Sequence, residues 1–202
     1  MKILFLGDSI TDAGHDRSDD ASLGNGYVSL LAEKLRPLYE DRQFSILNRG
    51  ISGDRVFDIA ARLEKDCLSE KADAVILFVG VNDVWHKYTE GTQFDAQAFA
   101  ECYGSVAEKI KNSGAKLIVC EPFLLDVPDK KRMRREMDTV IKAVKDAADK
   151  YADAYIAFDE IFAGVSEASG VAAYSADGIH PTHRAARLIA DNIIKKLRPF
   201  IA

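Results

Sequence analysis

Residues 2–14 read KILFLGDSITDAG, in which four apolar residues, Ile3 to Leu6, run directly into Gly7, Asp8 and Ser9. An unalternated apolar run of this length is the pattern of a strand buried on both faces, and Gly7 permits a tight turn where it ends. Similar β-rich runs recur at Phe44 to Leu47, Ala74 to Val79, Leu117 to Cys120 and Ala154 to Phe158. Helical periodicity lies between and after them, over Tyr27 to Tyr39, Val56 to Ser69, Ala96 to Asn112, Arg134 to Tyr151 and Arg184 to Leu197. Asp95 is placed to cap the third of these helices, and Ser113-Gly114 to close it. Strands alternating with helices predict an α/β fold: a three-layer αβα sandwich around a five-stranded, mainly parallel, doubly wound sheet of the flavodoxin-like kind.

The 202 residues, 48% hydrophobic, suffice for one sizeable core, so a single domain over 1–202 is expected. No internal repeat or linker-like stretch divides the chain. A net charge of -5 with both signs interspersed argues against nucleic acid and anionic membrane as partners. Met1 and Lys2 lead straight into a strand-length apolar run without the features of a signal peptide, and a cytoplasmic location is expected. Cys67, Cys102 and Cys120 are odd in number and widely spaced, the pattern of buried free thiols.

Ligands of an open parallel sheet bind beyond the carboxyl ends of its strands, so the segments there carry the chemistry. They are GDSIT, NRGISGDR, GVNDVW and EPFLLD, and YSADGIHPTH precedes the last helix. Ser9 thus sits at the mouth of the first strand, where backbone N–H groups of the following turn can face a developing negative charge. A serine needs a base within hydrogen-bond reach and a carboxylate that holds the base in one tautomer. Asp177 and His180, three residues apart, supply both from one loop.

GDSIT, GISGD, GVNDVW and DGIHP, in that order from Gly7 to Pro181, resemble the four blocks of the SGNH hydrolases, also called the GDSL esterases. The resemblance implies Ser9 as nucleophile, His180 as base and Asp177 as its orienter. It also implies an oxyanion hole built from the Ser9 N–H, the Gly53 N–H and the Asn82 side-chain amide. Gly53 leaves room for close backbone approach, and Asn82 is an uncharged donor that needs no change of protonation state. The stretches SITDAG, GNGYV, ISGDRVFDIAARLEKD, VGVNDVWHKY and RREMD are most similar to the carbohydrate-deacetylating branch that includes intracellular acetylxylan esterases. The expected substrate is therefore a small acetylated sugar, deacetylated without metal or cofactor; a homo-oligomer is compatible with the branch. Rival readings are a lysophospholipase or acyl-thioesterase acting on longer acyl chains, and a catalytically silent sugar-binding module.

Several neighbouring residues admit more than one role. Trp85 offers either a flat surface for a sugar ring or a core or subunit-interface aromatic. Asp8, beside the nucleophile, is expected to hydrogen-bond the turn and to border the substrate. Ser9 is not expected to be a helix cap, because the helical signal resumes only after the polar stretch TDAGHDRSDDASLGNG. Asp12, Asp19 and Asp20 read as a solvated loop, not a metal site. His183 is expected to begin the final helix and His180 to be the base. The run DKKRMRREMD, residues 129–138, reads as a solvated or subunit-facing surface. The apolar loop Glu121 to Asp129 is expected either to close over the acyl pocket or to lie between subunits.

Overall fold

In the computed structural model, which describes residues 1–39 and 42–201, five strands form one sheet in the order β2-β1-β3-β4-β5, with every neighbouring pair parallel. The strands are β1 (Lys2–Gly7), β2 (Ser45–Gly50), β3 (Ala74–Phe78), β4 (Lys116–Cys120) and β5 (Ala154–Ile156). The helices are α1 (Ser9–Asp12), α2 (Tyr27–Leu38), α3 (Val56–Asp66), α4 (Val81–Thr89), α5 (Ala96–Asn112), α6 (Arg134–Tyr151), α7 (Phe158–Ser169) and α8 (His183–Ile201). This is the expected flavodoxin-like order. The chain steps outward from β1 to β2 and then back past β1 to β3, so a crevice opens beyond the carboxyl ends of β1 and β3.

The strands alternate their side chains between two cores, which is why their sequences are apolar throughout. Leu4, Leu6, Val75, Leu77 and Val119 pack on one face against Ile59 of α3, Tyr103 of α5 and Val140 of α6. Ile3, Phe5, Ile76, Phe78 and Ile118 pack on the other against Leu31 of α2, Phe162 of α7 and Ile193 of α8. Each such side chain, when fully buried, contributes roughly 1.5–3 kcal/mol of hydrophobic stabilisation.

Three helices, α1, α4 and α7, and one turn were not anticipated as such. The spacing of Val81, Val84, Trp85 and Tyr88 is helical, but it begins inside GVNDVW, which reads as a loop motif until the helix is seen to start at Val81. Phe158 does not finish β5; it opens α7 and stacks on Phe78 with ring centroids 5.4 Å apart. Leu68 and Ser69, expected as the end of α3, belong instead to a 3₁₀ turn, Leu68–Glu70. In the Glu121 to Asp129 loop, Leu124, Leu125 and Asp126 line a groove together with Lys130, Arg134 and Asp159. Phe123, Leu124 and Leu125 are buried within this chain, and the Phe123 ring lies 4.4 Å from that of Phe162. Cys67 and Cys120 are buried free thiols, whereas Cys102 is half-buried.

The end of β1 is shaped by exclusion. Gly7 pairs with Gly50 across β1 and β2, and the α1 turn crosses directly above them. A Cβ on Gly7 would lie 2.3 Å from Thr11 Oγ1 and 2.4 Å from the Phe78 carbonyl oxygen, and one on Gly50 would lie 2.2 Å from the Asp12 nitrogen. The glycine after Leu6 is thus required by close approach more than by turn geometry. Gly7→Ala is expected to destabilise the protein by about 1–3 kcal/mol through overpacking against backbone. Urea unfolding of the purified variant measures this, and an unchanged midpoint would show that the turn yields.

Candidate active site

Ser9 stands at the first position of α1. The N-cap is Asp8, whose carboxylate accepts the Ile10 N–H at 3.0 Å. A helix therefore does begin at Ser9, contrary to the sequence expectation. Its single turn is too short to show periodicity. The neighbouring aspartate does the capping, so the Ser9 hydroxyl is left for other contacts: Ser9 Oγ lies 3.0 Å from His180 Nε2.

The partner loop is built by Asp177. Its Oδ1 accepts from Ser175 Oγ, from the Ile179 N–H and from the His180 N–H at 2.8–3.0 Å, which fixes the backbone between Ser175 and Pro181. Its Oδ2 lies 2.7 Å from His180 Nδ1. A carboxylate there favours the tautomer with the proton on Nδ1, leaving the Nε2 lone pair facing Ser9. Burial raises the Asp177 carboxyl, but the His180 ring and the two N–H donors outweigh it and hold it at about 2. Asp177 remains an acceptor over the whole neutral range. Ser175, absent from the sequence expectations, completes this loop; a serine two residues before an aspartate gives no distinctive signal.

Across the crevice, the Ser9 and Gly53 N–H groups have no acceptor among the described residues. Gly53 has φ +89°, a conformation that side chains rarely adopt, and a Cβ there would meet nothing within 4 Å. The glycine is needed for its backbone angle, and the space beside it is open. Asn82, at the start of α4, is buried and donates from Nδ2 to the Asp54 carbonyl at 3.0 Å, which orients the amide and leaves its second hydrogen free.

The GDSL-like Lipase/Acylhydrolase family description matches residues 5–188. The chain belongs to this family. An acetylxylan esterase from Geobacillus stearothermophilus is 29% identical over 97% of this chain and 93% of its own length. The Esterase TesA from Pseudomonas aeruginosa is 28% identical over 98% and 89%. The solved structure of Axe2, an acetylxylan esterase from Geobacillus stearothermophilus, superimposes with a TM-score of 0.89 at 29% identity, covering 97% of this chain and 93% of that one. The chain is a carboxylic ester hydrolase with the same α/β architecture.

For an ester hydrolase of this family, the surroundings of Ser9 matter as much as its contacts. The Asp8 side chain is 2% exposed and committed to the turn. Burial pushes its carboxyl up to about 7, opposed in part by the Ile10 N–H and by His180. Asp12 is not on a solvated loop. It is buried, its Oδ2 accepting from the Ser52 N–H and Ser52 Oγ, both at 2.9 Å, while Oδ1 accepts from the Gly14 N–H and lies 3.2 Å from His15 Nδ1. Asp12 thereby ties the helix that begins with Ser9 to the loop that carries Gly53. Its burial follows from β1–β2 pairing, which no local pattern reports. Arg62 makes a second tie, from the Gly7 carbonyl at 3.1 Å to Asp54 Oδ2 at 2.7 Å.

Trp85 is half-buried, with its ring centroid 5.6 Å from that of His180 in an edge arrangement. His183 begins α8 and is exposed, as expected. Among the described residues, no helix is long and apolar enough to cross a membrane, and no group of three or more His, Cys, Asp and Glu is arranged to hold a metal ion.

Two expectations follow. Asp8 has its carboxyl raised from 3.8 to about 7, so within that window the folded state holds a proton that the unfolded chain has released. Its contribution to stability therefore falls as pH rises. Asp8→Asn keeps an acceptor for Ile10, and its urea midpoint relative to the parent should be higher at about pH 8 than at about pH 4.5. A pH-independent difference would contradict this. Asp12→Ala should lower kcat on the order of 10²-fold with little change in KM, because it frees the Gly53 loop from the Ser9 turn. Asp12→Asn, which keeps one acceptor oxygen for Ser52, should retain more activity. A change in KM alone would place Asp12 in substrate binding.

Proposed function

We propose that the chain is a serine esterase that removes acetyl and other short acyl groups from carbohydrate hydroxyls, such as those of acetylated xylo-oligosaccharides, through an acyl-enzyme intermediate. The proposal extends to a single catalytic domain, residues 1–202, acting in the cytoplasm without metal or cofactor. The observation that carries the chemistry is the aligned series Asp177 Oδ2, His180 Nδ1, His180 Nε2 and Ser9 Oγ, with steps of 2.7 and 3.0 Å across the ring. The sugar substrate is supported by the full-length likeness to the Geobacillus acetylxylan esterase.

In this reading, Ser9 Oγ attacks the acyl carbon while His180 Nε2 takes its proton. The carbonyl oxygen, now an oxyanion, receives hydrogen bonds from the Ser9 N–H, the Gly53 N–H and the free Asn82 amide hydrogen. Collapse breaks the bond to the sugar oxygen, which leaves with the proton from His180. Water then gives its proton to His180 and attacks the Ser9 ester, releasing the acid and restoring the hydroxyl. Asp177 stays ionised throughout and stabilises the imidazolium that forms twice per turnover.

Acetate release from an acetylated xylobiose, with 4-nitrophenyl acetate and octanoate as companion substrates, tests both chemistry and substrate. Acetyl compounds should be preferred; a preference for octanoate would favour the rival reading of a lysophospholipase or acyl-thioesterase acting on longer acyl chains. Ser9→Ala should lose on the order of 10⁶-fold in rate while remaining folded. His180→Ala should be similarly impaired and His183→Ala nearly unaffected. The reverse histidine result would assign the base to the wrong residue.

A further inference from the structure

We infer that the groove beside the catalytic loop is a subsite for an anionic group on the substrate, so that the acetylated sugars best served are those carrying a carboxylate. This rests on the deacetylase reading above and specifies its substrate class. The groove, of about 490 Å³, begins at Trp85, the aromatic that meets His180 edge-on, and runs past Tyr88 to the turn Pro128–Met133. Its two aromatic rings are not bare. Lys130 Nζ lies 5.1 Å from the centroid of Trp85, and the Arg132 guanidinium 4.8 Å from that of Tyr88. The Lys130 stem passes beside Gly178 of the catalytic loop, where an added Cβ would meet its Cγ at 3.4 Å.

These two cations differ from those around them. Lys131 pairs with Asp126 at 3.6 Å, Lys87 with Glu136 at 2.6 Å, and Arg134 with both Asp138 and Asp159. Among the described residues no carboxylate lies within 4.0 Å of Lys130 or Arg132. A ring face can hold a cation in place without neutralising it, so both remain available to an incoming anion. Asp129 also lines the groove, which leaves one net positive charge there. A neutral sugar stacking on the face of Trp85 that Lys130 covers must displace the ammonium from the ring. A carboxylated sugar keeps that contact and adds charge-assisted hydrogen bonds from Lys130 and the Arg132 fork.

The experiment compares kcat/KM for acetate release from acetylated xylo-oligosaccharides that are neutral, that carry a uronic acid branch, or that carry a sulfate ester. The carboxylated substrate should be favoured over the neutral one by on the order of tenfold at low ionic strength, mainly through KM. The ratio should shrink as salt screens the partly exposed cations. Lys130→Gln and Arg132→Gln should each lower the ratio, whereas Lys131→Gln, whose lysine is already paired, should leave it intact. Equal rates on neutral and carboxylated sugars would overturn the subsite while leaving the deacetylase intact. Preference for the sulfate ester over the carboxylate would overturn the assignment of the anion. Hydrolysis of 4-nitrophenyl acetate with no acetate from any sugar would overturn the deacetylase reading, and the subsite with it.

Discussion

The α1 turn can lie across the carboxyl ends of β1 and β2 only because Gly7 and Gly50 carry no side chains, and the rest of the site is arranged around that contact. With the turn seated there, Asp8 caps it and Ser9 comes first in it, facing the loop after residue 174. Asp12, one turn further on, reaches sideways to Ser52 and draws the Gly53 loop into place. Arg62 and Asn82 secure the same loop through Asp54 from below and from the side. The two free backbone N–H groups are therefore set relative to each other by a chain of short hydrogen bonds and not by loose loops. That is the condition under which fixed dipoles stabilise a transition state without reorganising.

Such a site carries a cost in buried charge. Asp8, Asp54 and Asp83 crowd beneath it, and burial raises the carboxyls of all three, Asp8 and Asp83 to about 7. Asp83 accepts the Val56 N–H, and the nearby Asp8 carboxyl raises its carboxyl further. Each nevertheless holds the start of a helix or loop that places a donor, so local stability gives way to alignment.

The strands were legible because apolar runs unbroken by polar residues have one economical explanation, a sheet covered on both faces; their order is not written in those runs. Ser9, Asp177 and His180 were legible because their chemistry demands one another, and the fold brings them within hydrogen-bond distance. Asp12 was not legible: among SITDAGHDRSDD it looks like any acidic loop residue, and only Gly50 passing beneath it shows that it is buried. Nor was the pairing of Lys130 with Trp85, since 45 residues separate them and the run DKKRMRREMD looks uniformly solvated. In the fold, Met133 and Met137 of that run are buried, which pins the turn and aims its cations. Local patterns report which face of an element is apolar; they do not report which loops will meet above the sheet.

The hydrogen bond between Ser9 and His180 spans 171 positions of sequence, whereas Asp177 and His180 are held together by their own loop. Half of the constellation is thus local and half depends on the whole sheet being assembled between the first strand and the last helix. On the proposed assignment, a chain that lacks the segment around His180 has a serine but no base to activate it. Hydrolytic competence therefore waits on docking of the loop at 175–181 against the first turn, and recovered esterase turnover after dilution from denaturant is a direct clock for closure of the complete fold.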